Sequence, residues 1–379
     1  MKVLYIAHSV GLQGAGFALI NIIKAIKNKG ITPILLLPSY GPIAIEAEKV
    51  GVKCYYHPCR NSVYPSLTSF IDIVLFLFRL LRICAINYFA KKYLEKIIKI
   101  EKPDIIHTNT GVIRFGALVA KKHNIPHVWH IREYQTLDFA WKPIGGIEKQ
   151  RNLYKDSNNH CIAITHDVFN YFELNKKKDI TIYDGVFSSS IELPISVKQD
   201  YFLFVGCLKE GKGVLDVINA FELIADKLSP NTELWLVGDD EINIHHRIFN
   251  SKYPGLIKYL GFRKDVYQLM ANAIALIVPS KFEGFGFITT EAMLNRCLVI
   301  GRNTGGTKEQ FDNGKAFTGE DIGLRFTTLE ELSIHMKNVR FCYNDYLDMV
   351  ERGYKTVTTF YTIENNINHI SRIYNTLNK

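Results

Sequence analysis

Residues 280–292 read Ser280-Lys281-Phe282-Glu283-Gly284-Phe285-Gly286-Phe287-Ile288-Thr289-Thr290-Glu291-Ala292. They follow the apolar run Ala275 to Val278, which has the composition of a buried strand, and lead into a helical pattern through Met293 and Leu294. Two glycines just ahead of a helix let the backbone approach a ligand closely and turn N–H groups towards an anion. Glu283 on the loop and Glu291 in the helix flank that turn. A carboxylate facing a phosphate would be repelled, so these acids suit hydroxyls beside it, from which they accept hydrogen bonds. Phosphate next to polyhydroxyl describes a sugar nucleotide. A plainer reading, a Gly-rich turn with two surface acids, also stands at this point.

Working outward, similar apolar runs recur at 3–7, 34–37, 104–107, 127–131 and 161–164, and again at 201–205, 234–237, 257–260, 275–278 and 298–300. Helical stretches separate them. Continuous apolar strands alternating with helices predict parallel sheets covered on both faces. Two series predict an α/β protein of two Rossmann-like, doubly wound domains facing a cleft, with ligand at the strand C-terminal ends. The length of 379 residues also favours two domains, and a 47% hydrophobic content supplies their cores. We expect an N-terminal domain over 1–187, a linker over 188–199 around Pro194, and a C-terminal nucleotide-sugar domain over 200–358. The seven cysteines are scattered without a Cys-x-x-Cys pair, which fits a reducing compartment. The opening Met1-Lys2-Val3-Leu4-Tyr5-Ile6-Ala7-His8 is too short an apolar run for a signal peptide and reads as a first strand.

The net charge of +9 is uneven: residues 1–195 hold 25 Lys and Arg against 15 Asp and Glu, and residues 196–379 hold 21 against 22. The first half therefore faces something anionic. No nucleic-acid-binding motif accompanies the charge, and a phospholipid surface fits better. Residues 67–86, LTSFIDIVLFLFRLLRICAI, are long enough to span a bilayer. Their apolar side chains favour insertion by roughly 4–8 kcal/mol, but Asp72, Arg79 and Arg82 oppose it by about 8–10 kcal/mol. Lys91, Lys92, Lys96, Lys99 and Lys102 follow. One or two amphipathic helices are expected here rather than a span. They either cover a sheet or contact an anionic membrane peripherally.

Two glycine loops imitate other families. Gly11-Leu12-Gln13-Gly14-Ala15-Gly16 invites an NAD reading, but its spacing is wrong and the second strand ends without a ribose-binding acid. Gly206-Cys207-Leu208-Lys209-Glu210-Gly211-Lys212-Gly213 nearly spells an ATP-binding P-loop, yet Gly213 stands where a magnesium-binding hydroxyl is needed. No His/Asp cluster has metal-ligand spacing, so no metal is expected.

Glu-x-Gly-Phe-Gly-x-x-x-x-Glu-Ala at 283–292 resembles the signature of retaining, GT-B-fold glycosyltransferases of the group 1 type. The resemblance implies that Glu283 holds the donor sugar hydroxyls and Glu291 the ribose, with Gly284, Phe285, Gly286 and Phe287 near sugar and diphosphate. It places Gly14 and Gly16 beside the donor phosphates, and Gly305 and Gly306, in Thr304-Gly305-Gly306-Thr307-x-Glu309, on a donor-side loop. Arg263 and Asp265 fall where the family meets the base. The family's Val-Gly-Arg-Leu-x-x-x-Lys-Gly puts a diphosphate-clamping lysine at Lys212. Its clamping arginine is replaced by Cys207, which has no fixed positive fork. The family also implies that the last helix, within 359–379, crosses back onto the first domain.

Among 12 histidines, His130 matches the position that the family places near the reacting sugar, and His107 ends the preceding strand. Arg132 and Glu133 orient an acceptor or lock that loop. The implied activity is hexosyl transfer from a UDP-, GDP- or ADP-sugar, with no cofactor, to a sugar or lipid-linked glycan acceptor in cell-surface polysaccharide synthesis. His130, Glu283 and Lys212 carry the chemistry. Retention by two displacements needs a nucleophilic carboxylate, and both acids are already assigned; the resemblance implies front-face attack, with the leaving phosphate helping to accept the acceptor's proton. The expected location is cytoplasmic, at the inner face of the plasma membrane. Two other readings stay open: a sugar-nucleotide-binding homologue with little turnover, motivated by Cys207, and a P-loop-like NTPase.

Overall fold

The computed structural model describes residues 1–191 and 193–378. Glu192, in the expected linker, and Lys379, in the expected C-terminal segment, lie outside the described residues. Two compact units form, Met1–Gly185 with Ile363–Lys379, and Val186–Thr362.

The first unit contains strands β1 (Lys2–Ile6), β2 (Thr32–Leu37), β3 (Lys53–Tyr56), β4 (Ile105–Thr108), β5 (His127–Ile131), β6 (Asn159–Ala163) and β7 (Ile180–Thr181). They pair in parallel in the order β3-β2-β1-β4-β5-β6-β7. Alternate residues of one strand feed opposite faces, so both faces are buried. Val3, Tyr5, Leu35 and Leu37 pack with Leu19 and Ile23 of the helix Ala15–Ile26 and with Ile367, Ile370 and Tyr374 of the closing helix Ile363–Leu377. Leu4, Ile6, Ile34 and Leu36 pack on the other side with Leu94 and Ile97 of the helix Phe76–Glu101.

The second unit contains β8 (Tyr201–Val205), β9 (Glu233–Val237), β10 (Ile257–Tyr259), β11 (Ala275–Val278), β12 (Leu298–Arg302) and β13 (Leu324–Phe326), parallel in the order β10-β9-β8-β11-β12-β13. Its core runs from Phe202 and Phe204 to Phe221, Leu236, Ile277 and Ile300.

Both units are thus doubly wound parallel α/β sheets, the architecture that the alternating apolar runs predict. The order reverses between β1 and β4 and between β8 and β11, which puts a ligand crevice beyond the C-terminal ends of those strands. The strands β3, β7 and β13, absent from the sequence-based list, lie at or next to sheet edges. The region 67–101 forms the short helix Phe70–Val74 and the helix Phe76–Glu101. Among the described residues, no helix is long and apolar enough to cross a membrane.

Candidate functional site

At the β8/β11 reversal the loop after β8 makes a tight turn, Glu210–Lys212, closed by Gly213 at φ +74. A side chain on Gly213 would put its Cβ 2.7 Å from the Pro279 carbonyl oxygen, so no Ser or Thr can stand at this position without moving the end of β11. This contact docks the two loops. Arg302, at the end of β12, secures it: its Nε donates to the Pro279 oxygen at 2.8 Å and its Nη2 to Asp216 at 2.6 Å. The turn carries Lys212 to Glu283, and Lys212 Nζ donates to Glu283 Oε1 at 2.7 Å. Both side chains keep partial exposure, 32% and 23%. Cation and carboxylate are therefore reachable from solvent at the reversal.

The Glu283–Phe287 loop is held from behind. The Gly306 N–H donates to the Glu283 carbonyl at 2.8 Å, and Gln310 Nε2 donates to the Phe285 carbonyl at 2.6 Å. A Cβ on Gly306 would lie 2.1 Å from the Phe285 oxygen, and one on Gly305, at φ +54, would lie 2.8 Å from the Glu283 oxygen. Gly305 and Gly306 thus act by letting one loop lie against the other. Phe285 is buried against Phe287 and Tyr361 and works as an anchor of the loop. Gly286, at φ +88, starts the helix Phe287–Leu294, whose N-terminus has no side-chain cap; the positive end of its dipole lies at this turn. Gly284 is half-buried between the two. Arg302 and Gln310 were missed by the sequence reading. Gln310 had a faint signal, since it sits one helical turn after Gly306.

Glu291 lies in that helix. Burial alone raises its carboxyl from 4.5 to about 7; burial first, and then the nearby Glu291 carboxylate, push the Tyr267 phenol up as well. Among the described residues nothing donates a hydrogen bond to this carboxyl. The residue is half-buried, so its carboxyl is an acceptor that donors from outside the protein can reach.

Cys207 sits beside acids. Burial and then the neighbouring Glu241 carboxylate push its thiol up to about 11, so it stays neutral. The departure from arginine therefore stands in an acidic setting. Arg263 and Asp265 form an exposed pair with each other at 2.5 Å. Glu309 is half-buried near the Tyr361 hydroxyl.

In the first unit, Gly14 (φ +48) precedes the helix Ala15–Ile26 with open space around it, whereas a Cβ on Gly16 would lie 1.9 Å from the Gly11 oxygen. Gly16 is thus required by its own loop. His130 and His107 are both fully buried. Burial, and next the Arg132 charge, hold both imidazoles well below the ordinary pKa, so both are neutral. Arg132 Nη2 lies 3.2 Å from His130 Nδ1; since the guanidinium can only donate, the His130 proton sits on Nε2, which makes no hydrogen bond among the described residues and lies 4.0 Å from Asp184 Oδ1. His107 Nδ1 bonds the Tyr374 hydroxyl of the closing helix, which donates on to Tyr5 at 3.0 Å. Arg132 also ties Asn109 and Asp184 together. Burial and then the Asp138 charge push Glu133 up to about 8, and its Oε1 accepts from the Gly111 N–H at 2.7 Å. Arg132 and Glu133 lock the loop.

Residues 188–324 match the family model of glycosyl transferases group 1. An uncharacterized glycosyltransferase of Methanocaldococcus jannaschii is 29% identical over 236 residues, covering 58% of this chain but only 62% of its own length. The capsular polysaccharide biosynthesis glycosyltransferase CapH of Staphylococcus aureus is 22% identical, covering 65% of this chain and 73% of its own. Anabaena HepE, solved with UDP and glucose, superposes with a TM-score of 0.77 at 18% identity over 99% of this chain and 100% of that one. At that identity the likeness speaks for the fold, and it is the fold of the two sheets described above. Residues 188–324 therefore carry a domain that matches the glycosyl transferases of group 1, and the chain has the GT-B fold.

Proposed function

We propose that the chain is a retaining glycosyltransferase that moves a sugar from a nucleoside diphosphate to an acceptor hydroxyl, the acceptor being lipid-linked or a growing surface polysaccharide. The observation that carries this reading is the half-buried Glu291 carboxyl, without a hydrogen-bond donor among the described residues, in the helix that begins at the Glu283 loop. Ribose hydroxyls would supply the missing donors and favour its charged form. Lys212 and the uncapped helix end at Gly286 would meet the diphosphate, each such donor lowering the barrier by roughly 3–4 kcal/mol as charge develops on the leaving phosphate. Glu283, freed from Lys212, would take the sugar hydroxyls. Front-face departure and attack ask no more of the protein than these groups. His130 Nε2–H is a donor for a sugar hydroxyl, and Gly14 gives backbone access near the phosphates. The reading needs no metal, so EDTA should leave turnover unchanged. CapH and HepE direct attention to UDP-sugars and surface polysaccharide. The work would take place on the cytoplasmic side, with the first unit in peripheral contact with anionic membrane.

Thermal unfolding with UDP, GDP or ADP near 1 mM tests it. A shift with one diphosphate that vanishes in Glu291→Ala supports the donor site; no shift with any of them sinks it. NMR of the product anomer then decides retention.

A second reading, a sugar-nucleotide-binding homologue with little turnover, is favoured by the neutral Cys207 thiol beside Glu241. Turnover appearing only in Cys207→Arg would support it.

A further inference from the structure

The helices Phe70–Val74 and Phe76–Glu101 carry a surface that neither the donor site nor the core uses. From residue 90 onward the long helix is anchored, with Ala90, Leu94, Ile97 and Ile98 buried on the sheet. Ahead of that point one face stands exposed, while Phe76, Leu80, Ile83 and Ile86 are half-buried. Phe70 is 79% accessible, Leu77 69%, Leu81 67%, Phe78 66% and Phe89 60%. Contiguous exposure of this kind marks a contact site.

Charge is arranged along the same face. At 3.6 residues per turn, Phe78, Arg82, Phe89, Lys92, Lys96 and Lys99 share one stripe. Its first half is apolar and its second half basic. Asp72, the acid of this region's first turn, is neutralised by Arg79. Lys92 lies 3.8 Å from Glu95, while Arg82, Lys96 and Lys99 form no ion pair among the described residues. The apolar stretch 76–89 is about 20 Å long, too short to cross a hydrocarbon core of about 30 Å. A protein partner would explain the apolar half alone. An apolar tip followed by lysines one turn apart matches a bilayer, whose acyl boundary lies beneath an anionic headgroup layer.

We infer that residues 70–89 form a wedge that inserts into the interface of an anionic membrane, with Lys92, Lys96 and Lys99 seated against the lipid phosphates. This deepens the membrane part of the proposed function and does not depend on the donor chemistry. The wedge would hold the enzyme where a lipid-linked acceptor is presented.

The test is flotation of the full chain with vesicles of phosphatidylcholine alone or with 30% phosphatidylglycerol, at low and high salt. Flotation should require the anionic lipid. Lys92→Ala, Lys96→Ala and Lys99→Ala should each weaken binding about fivefold. Phe78→Glu with Leu81→Glu should abolish it, and a Phe78→Trp reporter should shift to the blue on binding. Binding that high salt removes completely, with no blue shift, would overturn insertion. Absence of flotation, with a dimer that Phe78→Glu dissociates, would assign the surface to a second copy and overturn the membrane. Each variant is also melted with UDP. A variant that keeps its ligand shift but does not float is folded, and its failure counts against the wedge alone; loss of the shift in the wild type counts against the donor site alone.

Discussion

Replacing Glu291 by glutamine should stabilise the ligand-free protein, in a way that depends on pH. In the folded second unit burial raises this carboxyl from 4.5 to about 7. An acid whose folded pKa lies above its unfolded value binds its proton more tightly in the folded state. It therefore destabilises the fold increasingly as pH rises from 4.5, and the full cost is reached above pH 7. At about 1.4 kcal/mol per tenfold change in proton affinity, the cost approaches about 3 kcal/mol at pH 8. Glutamine keeps the shape and cannot ionise. Any cost of its unbonded amide applies at every pH, so the quantity to read is the change in the mutant–wild-type difference between pH 4.5 and pH 8. That change should approach about 3 kcal/mol, equivalent to roughly 6–12 °C in the melting of a unit this size. Scanning calorimetry of the full chain across pH 4.5–8.5 measures it, and the buried histidines cancel because both proteins contain them. A difference that stays constant with pH, or a wild type that gains on the variant at high pH, would refute the reasoning. The variant should also lose the nucleotide-induced shift, since the charged acceptor is gone.

Lys212→Ala removes a partly exposed pair and should cost less than about 1 kcal/mol in stability, yet lower kcat/KM by about a hundredfold or more; comparing calorimetry with initial rates separates the two. Gly306→Ala forces the Phe285 carbonyl away and should lower the unfolding free energy from denaturant titration by about 1–3 kcal/mol, whereas Gly211→Ala, with open space around it, should leave it unchanged. Tyr374→Phe strips the partner from His107 Nδ1 and should cost about 1–3 kcal/mol in urea unfolding.

Much of the fold was legible because parallel strands buried on both faces must be apolar throughout, and runs such as 201–205 and 275–278 stand out on that ground. The strand Lys53–Tyr56 escaped notice because it pairs on one side only and is half-buried, so its sequence carries no continuous apolar signal. The same limit applies to the two-residue β7. At the candidate site, local spacing picked out Glu283, Gly286 and Glu291, which the fold puts on one loop and the helix that follows it. What it could not carry was the reason for a glycine. Gly305 and Gly306 look like ligand contacts in sequence, but the space around them is filled by the backbone of a loop some twenty residues earlier. Arg302 holds Pro279 and Asp216 from a third segment. Likewise nothing near His107 in sequence announces a hydroxyl 267 residues away.

That last distance bears on how the protein is made. The sheet that begins at Lys2 is closed by Ile367, Ile370 and Tyr374, and the whole of the other unit is translated in between. At about 5–20 residues per second, some 180 residues occupy the ribosome for roughly 10–35 s. Throughout that interval one face of the first sheet waits without its cover, while the second unit can complete itself as it emerges. The half of the molecule that is synthesised first is the half that finishes folding last.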